Sequence, residues 1–326
     1  MGDVAERLYP WGATRRYHSY AAYARRTFGR PVRKIAVDGG FTCPNRDGKI
    51  AYEGCAFCDN GAFTPSYCSP GLSITAQIDA GIRFASRHIG PDTLLLAYFQ
   101  PFTNTYAPLE TLRARFGEAL AHPRIGGLIV GTRPDCVDPR TLDYLAELSR
   151  TTHVTVEYGV ESVRDATLRA VNRGHDFAAA RRAICLTAQR GIRTGAHFIL
   201  GLPGEDDDML IGQTAIINEL PVHAVKFHQL QLLRGTPLSR RYDADPEAFG
   251  LRSPDRYVVL TVEILRRLRS DIVVERLAAN APEPYRHAGS WGLRGCGSLV
   301  AAVEKKLAER RVFQGEIFIP LQRLKT

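Results

Sequence analysis

The residues best equipped for chemistry crowd into one stretch, Cys43-Pro44-Asn45-Arg46-Asp47-Gly48 followed by Gly54-Cys55-Ala56-Phe57-Cys58-Asp59-Asn60. The spacing is Cys-x11-Cys-x2-Cys. Three thiolates on one loop can hold three irons of a cubane and leave the fourth iron open to an outside ligand. The same residues admit two other readings. A structural zinc site would need a fourth ligand, for which Cys68 is the one loop candidate. Cysteine is also buried for packing alone. Taken by itself, the loop leaves all three open.

Further polar residues stand in short motifs downstream: Thr132-Arg133-Pro134-Asp135, Glu157-Tyr158-Gly159-Val160-Glu161-Ser162, Asn172-Arg173-Gly174-His175-Asp176, Gly201-Leu202-Pro203-Gly204-Glu205 and Gly235-Thr236-Pro237-Leu238. A carboxylate such as Glu157 accepts hydrogen bonds from hydroxyls or an ammonium. For Glu157 and Arg173 the plain alternative is a salt bridge that caps the fold. His197 and His228 come from expected strands and are pocket candidates, although a lone strand histidine is more often a satisfied core residue.

These motifs need a frame to converge. Short apolar, β-branched runs alternate with helical patterns, the signature of βα units around a parallel sheet. Strands are expected near 34–37, 93–98, 128–132, 154–159, 195–200 and 224–232, with helices near 74–88, 109–121, 140–150, 177–190 and 209–219. Each motif falls just past a strand or in the next turn. Six units fall short of the eight in a closed barrel, so the sheet either curls into a partial barrel or lies open and doubly wound. The connection from 38 to about 73 is long, and loops of that length are usually functional or disordered. Beyond Pro237 the pattern changes to a helix near 256–270, a short strand at 272–274, a Gly-rich turn, a helix near 298–311 and a last apolar piece at 312–319. The division expected is an N-terminal basic arm over 1–33, a barrel core over 34–240 and a C-terminal extension over 241–326.

Composition excludes several classes. With 326 residues, 44% hydrophobic and 24% charged, neither disorder nor a fibrous repeat is indicated. The apolar run Leu94-Leu95-Leu96-Ala97-Tyr98-Phe99 is too short to cross a bilayer. Met1 to Gly12 lack the basic region and apolar stretch of a secretory signal, and Glu6 stands where a myristoylation site wants Ser or Thr, so export is not expected. Seven cysteines without such a signal argue for reduced thiols and a cytoplasmic protein. The net charge of +9 is uneven: residues 1–34 hold eight Lys or Arg against Asp3 and Glu6. Tyr17, His18, Tyr20, Tyr23 and Phe28 interleave with that charge, a mixture that contacts phosphates and stacks on unpaired bases. The competing reading is a solvated arm packed beside the barrel.

Taken together, the cysteine loop and the five downstream motifs resemble the radical S-adenosylmethionine (SAM) superfamily, in the bacterial branch similar to the radical SAM domain of the elongator tRNA-modifying subunit. The resemblance spans nearly the whole chain and includes the widened first cysteine gap. It implies an α/β fold, a partial (β/α)6 TIM-type barrel with an N-terminal basic arm and a C-terminal extension. It implies Cys43, Cys55 and Cys58 as ligands of a [4Fe-4S] cluster whose open iron binds SAM. One electron from the cluster would cleave the sulfonium to a 5'-deoxyadenosyl radical. Gln100 carries over to the methionine amino group, though the usual Gly-Gly-Glu is replaced here by Tyr98-Phe99-Gln100. Glu157 carries over to the ribose or methionine, and Arg173, Gly201 and Gly204 are further cofactor-pocket candidates. Cys136, Cys185 and Cys296 stand alone and are assigned to packing.

The resemblance and the basic arm together imply tRNA as the partner, modified at carbon 5 of a wobble uridine, with an external one-electron reductant of flavodoxin or ferredoxin type. The alternatives are a radical enzyme on a small molecule, by analogy with oxygen-independent coproporphyrinogen oxidase, and a non-catalytic metal protein that binds RNA.

Overall fold

A computed structural model describes residues 7–287 and 296–318, without the side chain of Cys296. The expected Gly-rich turn, the end of the last apolar piece and Glu6 lie outside the described residues.

The chain begins with α1 (Tyr20–Phe28) and then alternates: β1 (Val32–Val37), α2 (Ile74–Phe84), β2 (Leu94–Phe99), α3 (Leu109–Ala121), β3 (Ile125–Thr132), α4 (Pro139–Ser149), β4 (His153–Glu161), α5 (Asp165–Ala170), α6 (Phe177–Gln189), β5 (Arg193–Leu200), α7 (Asp207–Glu219) and β6 (Ala224–Gln229). There follow α8 (Pro237–Ala244), α9 (Pro254–Arg267), β7 (Val273–Arg276) and α10 (Cys296–Glu309). Helix starts follow capping chemistry: the side chains of Ser73, Asp138, Asp176, Asp206 and Ser253 each accept from a backbone N–H of the first turn.

Among the described residues the strands pair in parallel and in chain order, β1 through β7. The sheet curls into an open barrel and does not lie doubly wound. Six strands were expected in the core, and the sheet has seven. The short strand assigned to the C-terminal extension pairs with β6 through Ala224↔Val273 and Val225↔Val274, because Val273 and Val274 are buried and complete the wall.

The outward strand face is apolar and buried. Ile35, Leu95, Phe99, Val130, Val156, Phe198 and Phe227 pack on Ile78, Phe116, Leu145, Ile184 and Ile264 of the helices. At about 25 cal/mol per Å² this burial is the main favourable term.

The segment read as a basic arm is largely structural. Phe28 packs on Leu94 and Leu96 and lies 5.1 Å from the His153 ring, while Tyr23 lies 4.8 Å from the His223 ring. These partners stand at N-terminal strand ends, so α1 plugs that mouth of the barrel. Its aromatics are therefore spent on packing: Tyr17, His18 and Tyr23 are buried. Gln314, fully buried, pins the arrangement. Its Oε1 accepts from His18 N at 2.9 Å, and its Nε2 donates to the carbonyls of Arg269 and Ile272 at 2.7 and 2.8 Å.

Candidate active site

The long loop after β1 is held by the turn after α5. Asn45 Nδ2 donates to the carbonyls of Asn172 at 2.8 Å and Arg173 at 3.2 Å. Asn172 Nδ2 donates in return to Gly54 O at 2.9 Å. Gly174 sits at φ 78°, and a Cβ there would stand 2.6 Å from Asn45 Oδ1, so this close approach requires glycine. The motif Asn172-Arg173-Gly174 is thus a strap for the cysteine loop.

Cys55 is buried, Cys43 and Cys58 are half-buried, and all three are free thiols. The Cys55 sulfur accepts from Asn45 Nδ2 and Arg173 Nη1, both at 3.4 Å, with Arg133 Nη1 at 4.0 Å. Arg173 also donates to Gly159 O at 2.5 Å and faces Glu161 at 3.5 Å. Its Nε is buried and has no hydrogen-bond partner among the described residues. The pair register slips between Gly159 and Glu161, and Glu161 takes φ 69°, a strained conformation of the kind that clusters at sites.

The three cysteines line one cavity of about 240 Å³ at the C-terminal ends of the strands. Gln100, Glu157, Arg173, His197 and His228 line the same cavity. Gly201 and Gly204 do not: Gly201 borders a separate small void beside Arg252 and Tyr257, in a turn held by Ser162 and Arg252 through Glu205. Cys68 also stands apart. Its thiol donates to Ala36 O at 3.3 Å, and burial pushes it up to about 12.

Below the cavity runs a layer of buried charge. Glu157, 1% exposed, accepts from Lys34 Nζ at 2.9 Å, Lys226 Nζ at 2.5 Å and His197 Nε2 at 3.0 Å. Glu275 takes the same two ammoniums, Lys34 and Lys226 at 2.8 Å. Tyr98 OH accepts from Lys226 at 3.2 Å. Two cations and two anions cancel, which is what such burial demands. Burial alone would raise the Glu157 carboxyl, but Lys226 and Lys34, helped by His197, hold it well below the usual range. Burial, reinforced by Lys226, lowers His197, and burial pushes His228 down to about 3. Both shifts favour the uncharged imidazole at neutral pH. With a carboxylate as its partner, His197 Nε2 is the donor to Glu157.

Sequence reading missed Lys34, which was counted with the arm, and also Lys226, Glu275 and Asn45. The signal for the lysines was a cation inside an apolar strand, Lys34-Ile35-Ala36-Val37 and Ala224-Val225-Lys226-Phe227.

An iron-sulfur cluster fits these residues. Three free thiols surround one cavity, guanidinium and amide donors point at a cysteine sulfur, and a buried guanidinium nitrogen lacks a partner. Among the described residues no three His, Cys, Asp or Glu side chains converge on a single ion position. A cubane asks for something else, one thiolate on each of three irons.

The model of the radical SAM superfamily matches residues 43–212, and that of its C-terminal domain matches residues 222–309. The chain belongs to the radical SAM superfamily. YtqA of Bacillus subtilis (strain 168) is 36% identical over 318 residues, covering 96% of this chain and 97% of that protein. The tRNA uridine(34) acetyltransferase of Dehalococcoides mccartyi is 27% identical over 176 residues, 51% of this chain and 38% of that protein. Elp3 of Methanocaldococcus infernus with an N-terminal deletion shares the fold, at a TM-score of 0.65 and 16% identity over 87% of this chain and 64% of that one.

As a radical SAM protein the chain is a SAM-dependent enzyme that uses a [4Fe-4S] cluster, so the reading as a non-catalytic metal protein gives way. When bound, the cluster supplies the electron that cleaves SAM reductively. This chain's residues hold the loop, donate to its sulfur and line the reactant cavity. Among the described residues no helix is long and apolar enough to cross a membrane.

Proposed function

We propose that this enzyme modifies tRNA at the side chain on carbon 5 of the wobble uridine. Cys43, Cys55 and Cys58 hold the cluster. Gln100 and nearby carbonyls meet the methionine ammonium, Arg173 supports the Cys55 sulfur, and Gly201 and Gly204 shape the adjoining turn. Glu157 has both oxygens engaged by lysines and histidine, so it acts on the cofactor from beneath the cavity. An external flavodoxin- or ferredoxin-type reductant supplies the electron, and the cytoplasm is the compartment that fits free thiols.

The observation that carries the substrate is the likeness, across half of this chain, to a protein named for tRNA uridine(34). The chemistry is tested first. Anaerobically reconstituted protein should hold about four irons per chain and release 5'-deoxyadenosine from SAM on reduction. Alanine at Cys43, Cys55 or Cys58 should abolish both, whereas Cys185→Ala should keep both. Stoichiometric zinc without cleavage would sink the assignment. Mass spectrometry of tRNA nucleosides from a deletion strain then tests the substrate: a wobble uridine derivative should be lost or replaced by its precursor, and an unchanged profile would redirect the search to small molecules.

A further inference from the structure

Beside the cluster cavity lies another, of about 570 Å³, within the range of ligand pockets. Arg15, Tyr17 and Tyr20 form one wall, and Glu275, Arg276 and Asn280 the other. Arg276 and Ala279 line both cavities, so the two meet at the C-terminal end of β7.

The charge balance of this lateral cavity is one-sided. Glu275 is neutralised by Lys34 and Lys226. At the rim Arg15 pairs with Glu304 at 2.9 Å, and Tyr17 OH bonds the same carboxylate at 3.4 Å. Arg276 is exposed, and among the described residues its side chain has no hydrogen-bond or ion-pair partner. What remains is one guanidinium at the junction of the lateral void and the reactant cavity. A guanidinium left this way takes an oxyanion with two acceptor oxygens, a phosphate or a carboxylate.

We propose that Arg276 receives a backbone phosphate of the RNA, flanking the nucleotide presented to the cluster cavity. This rests on the tRNA reading above. The cavity lies outside the cysteine cradle, which suits a nucleotide's sugar and phosphate better than the small carboxylate of the cofactor.

The test is filter binding of an in vitro transcribed tRNA to the cluster-loaded enzyme across a salt series. Arg276→Ala should weaken binding roughly ten- to a hundredfold at low salt, as expected for a lost charge-assisted hydrogen bond. It should also lower the slope of log affinity against log salt by about 0.7 to 0.9, one phosphate contact. Arg276→Lys should keep the slope and lose part of the affinity, since it keeps the charge and not the fork. Arg83→Ala, on α2, should match wild type. If wild type binds no tRNA, the RNA reading fails and this site with it. If wild type binds and Arg276→Ala leaves affinity and slope unchanged, this site alone is wrong. If Arg276→Ala weakens SAM and not tRNA, Arg276 serves the cofactor carboxylate and the proposal is overturned.

Discussion

Glu157 shows how a single side chain can matter in two ways. Its carboxylate lies under the reactant cavity, yet both oxygens are taken by Lys34, Lys226 and His197. Removing the charge would leave two buried ammoniums sharing Glu275. Glu157→Gln should therefore cost about 3–5 kcal/mol of stability, the usual penalty for breaking a buried pair from one side. The carboxyl is held below its unfolded value, so its contribution is present above the unfolded pKa of about 4.3 and is lost as pH falls through the folded value. Chemical denaturation from pH 7 to pH 3 checks this: the gap between wild type and Glu157→Gln should be constant above about pH 5 and close at lower pH. A small, pH-independent gap would mean that the lysines find other partners.

At the scale of elements, the revision lies in α1. Arg26 donates to Trp11 O at 3.0 Å, Arg16 reaches Val312 O at 3.4 Å, and Arg15 pairs with Glu304. For Arg25, Arg30 and Arg33, exposed as they are, no such side-chain bond is found among the described residues. Alanine at Arg15, Arg16 and Arg26 together should lower the melting temperature, whereas alanine at Arg25, Arg30 and Arg33 should leave it within about a degree, as surface changes do. Equal losses from the two sets would show that α1 is no plug. The βα alternation was legible because β-branched runs and three-and-four spacing are local properties. Helix α1 was not, because its basic residues mask the buried face of Tyr23 and Ala24. The cysteine spacing marked one loop as a shared site while leaving its occupant open, and His197 and His228 line the same cavity as the three cysteines. The Lys34–Glu275 pairing was not, because it joins residues 241 apart, beyond any periodic signal.

At the scale of the whole molecule, histidine sets the response to acid. Burial pushes His153, His175 and His223 down to about 4 and His228 down to about 3. In the unfolded chain each titrates near 6.5. Near pH 5 unfolding therefore takes up about one proton for each of these residues, about four in all, and stability present above pH 6.5 falls as pH drops toward 4. Denaturation midpoints measured from pH 7.5 to pH 4.5 should show that decline, and His228→Asn should flatten it if the fold survives. A flat profile would mean that these rings are charged in the folded state.

The latch made by Gln314 has a bearing on the order of events during synthesis. It bonds His18 across 296 residues. At 5–20 residues per second, roughly fifteen to sixty seconds separate their emergence from the ribosome. From the emergence of Cys58 to that of Val273 the cysteine loop is already made, while the strand that completes the wall and the residue that secures the plug are not. Cluster delivery during translation thus meets an open cradle, and delivery afterwards meets a barrel latched at the opposite mouth.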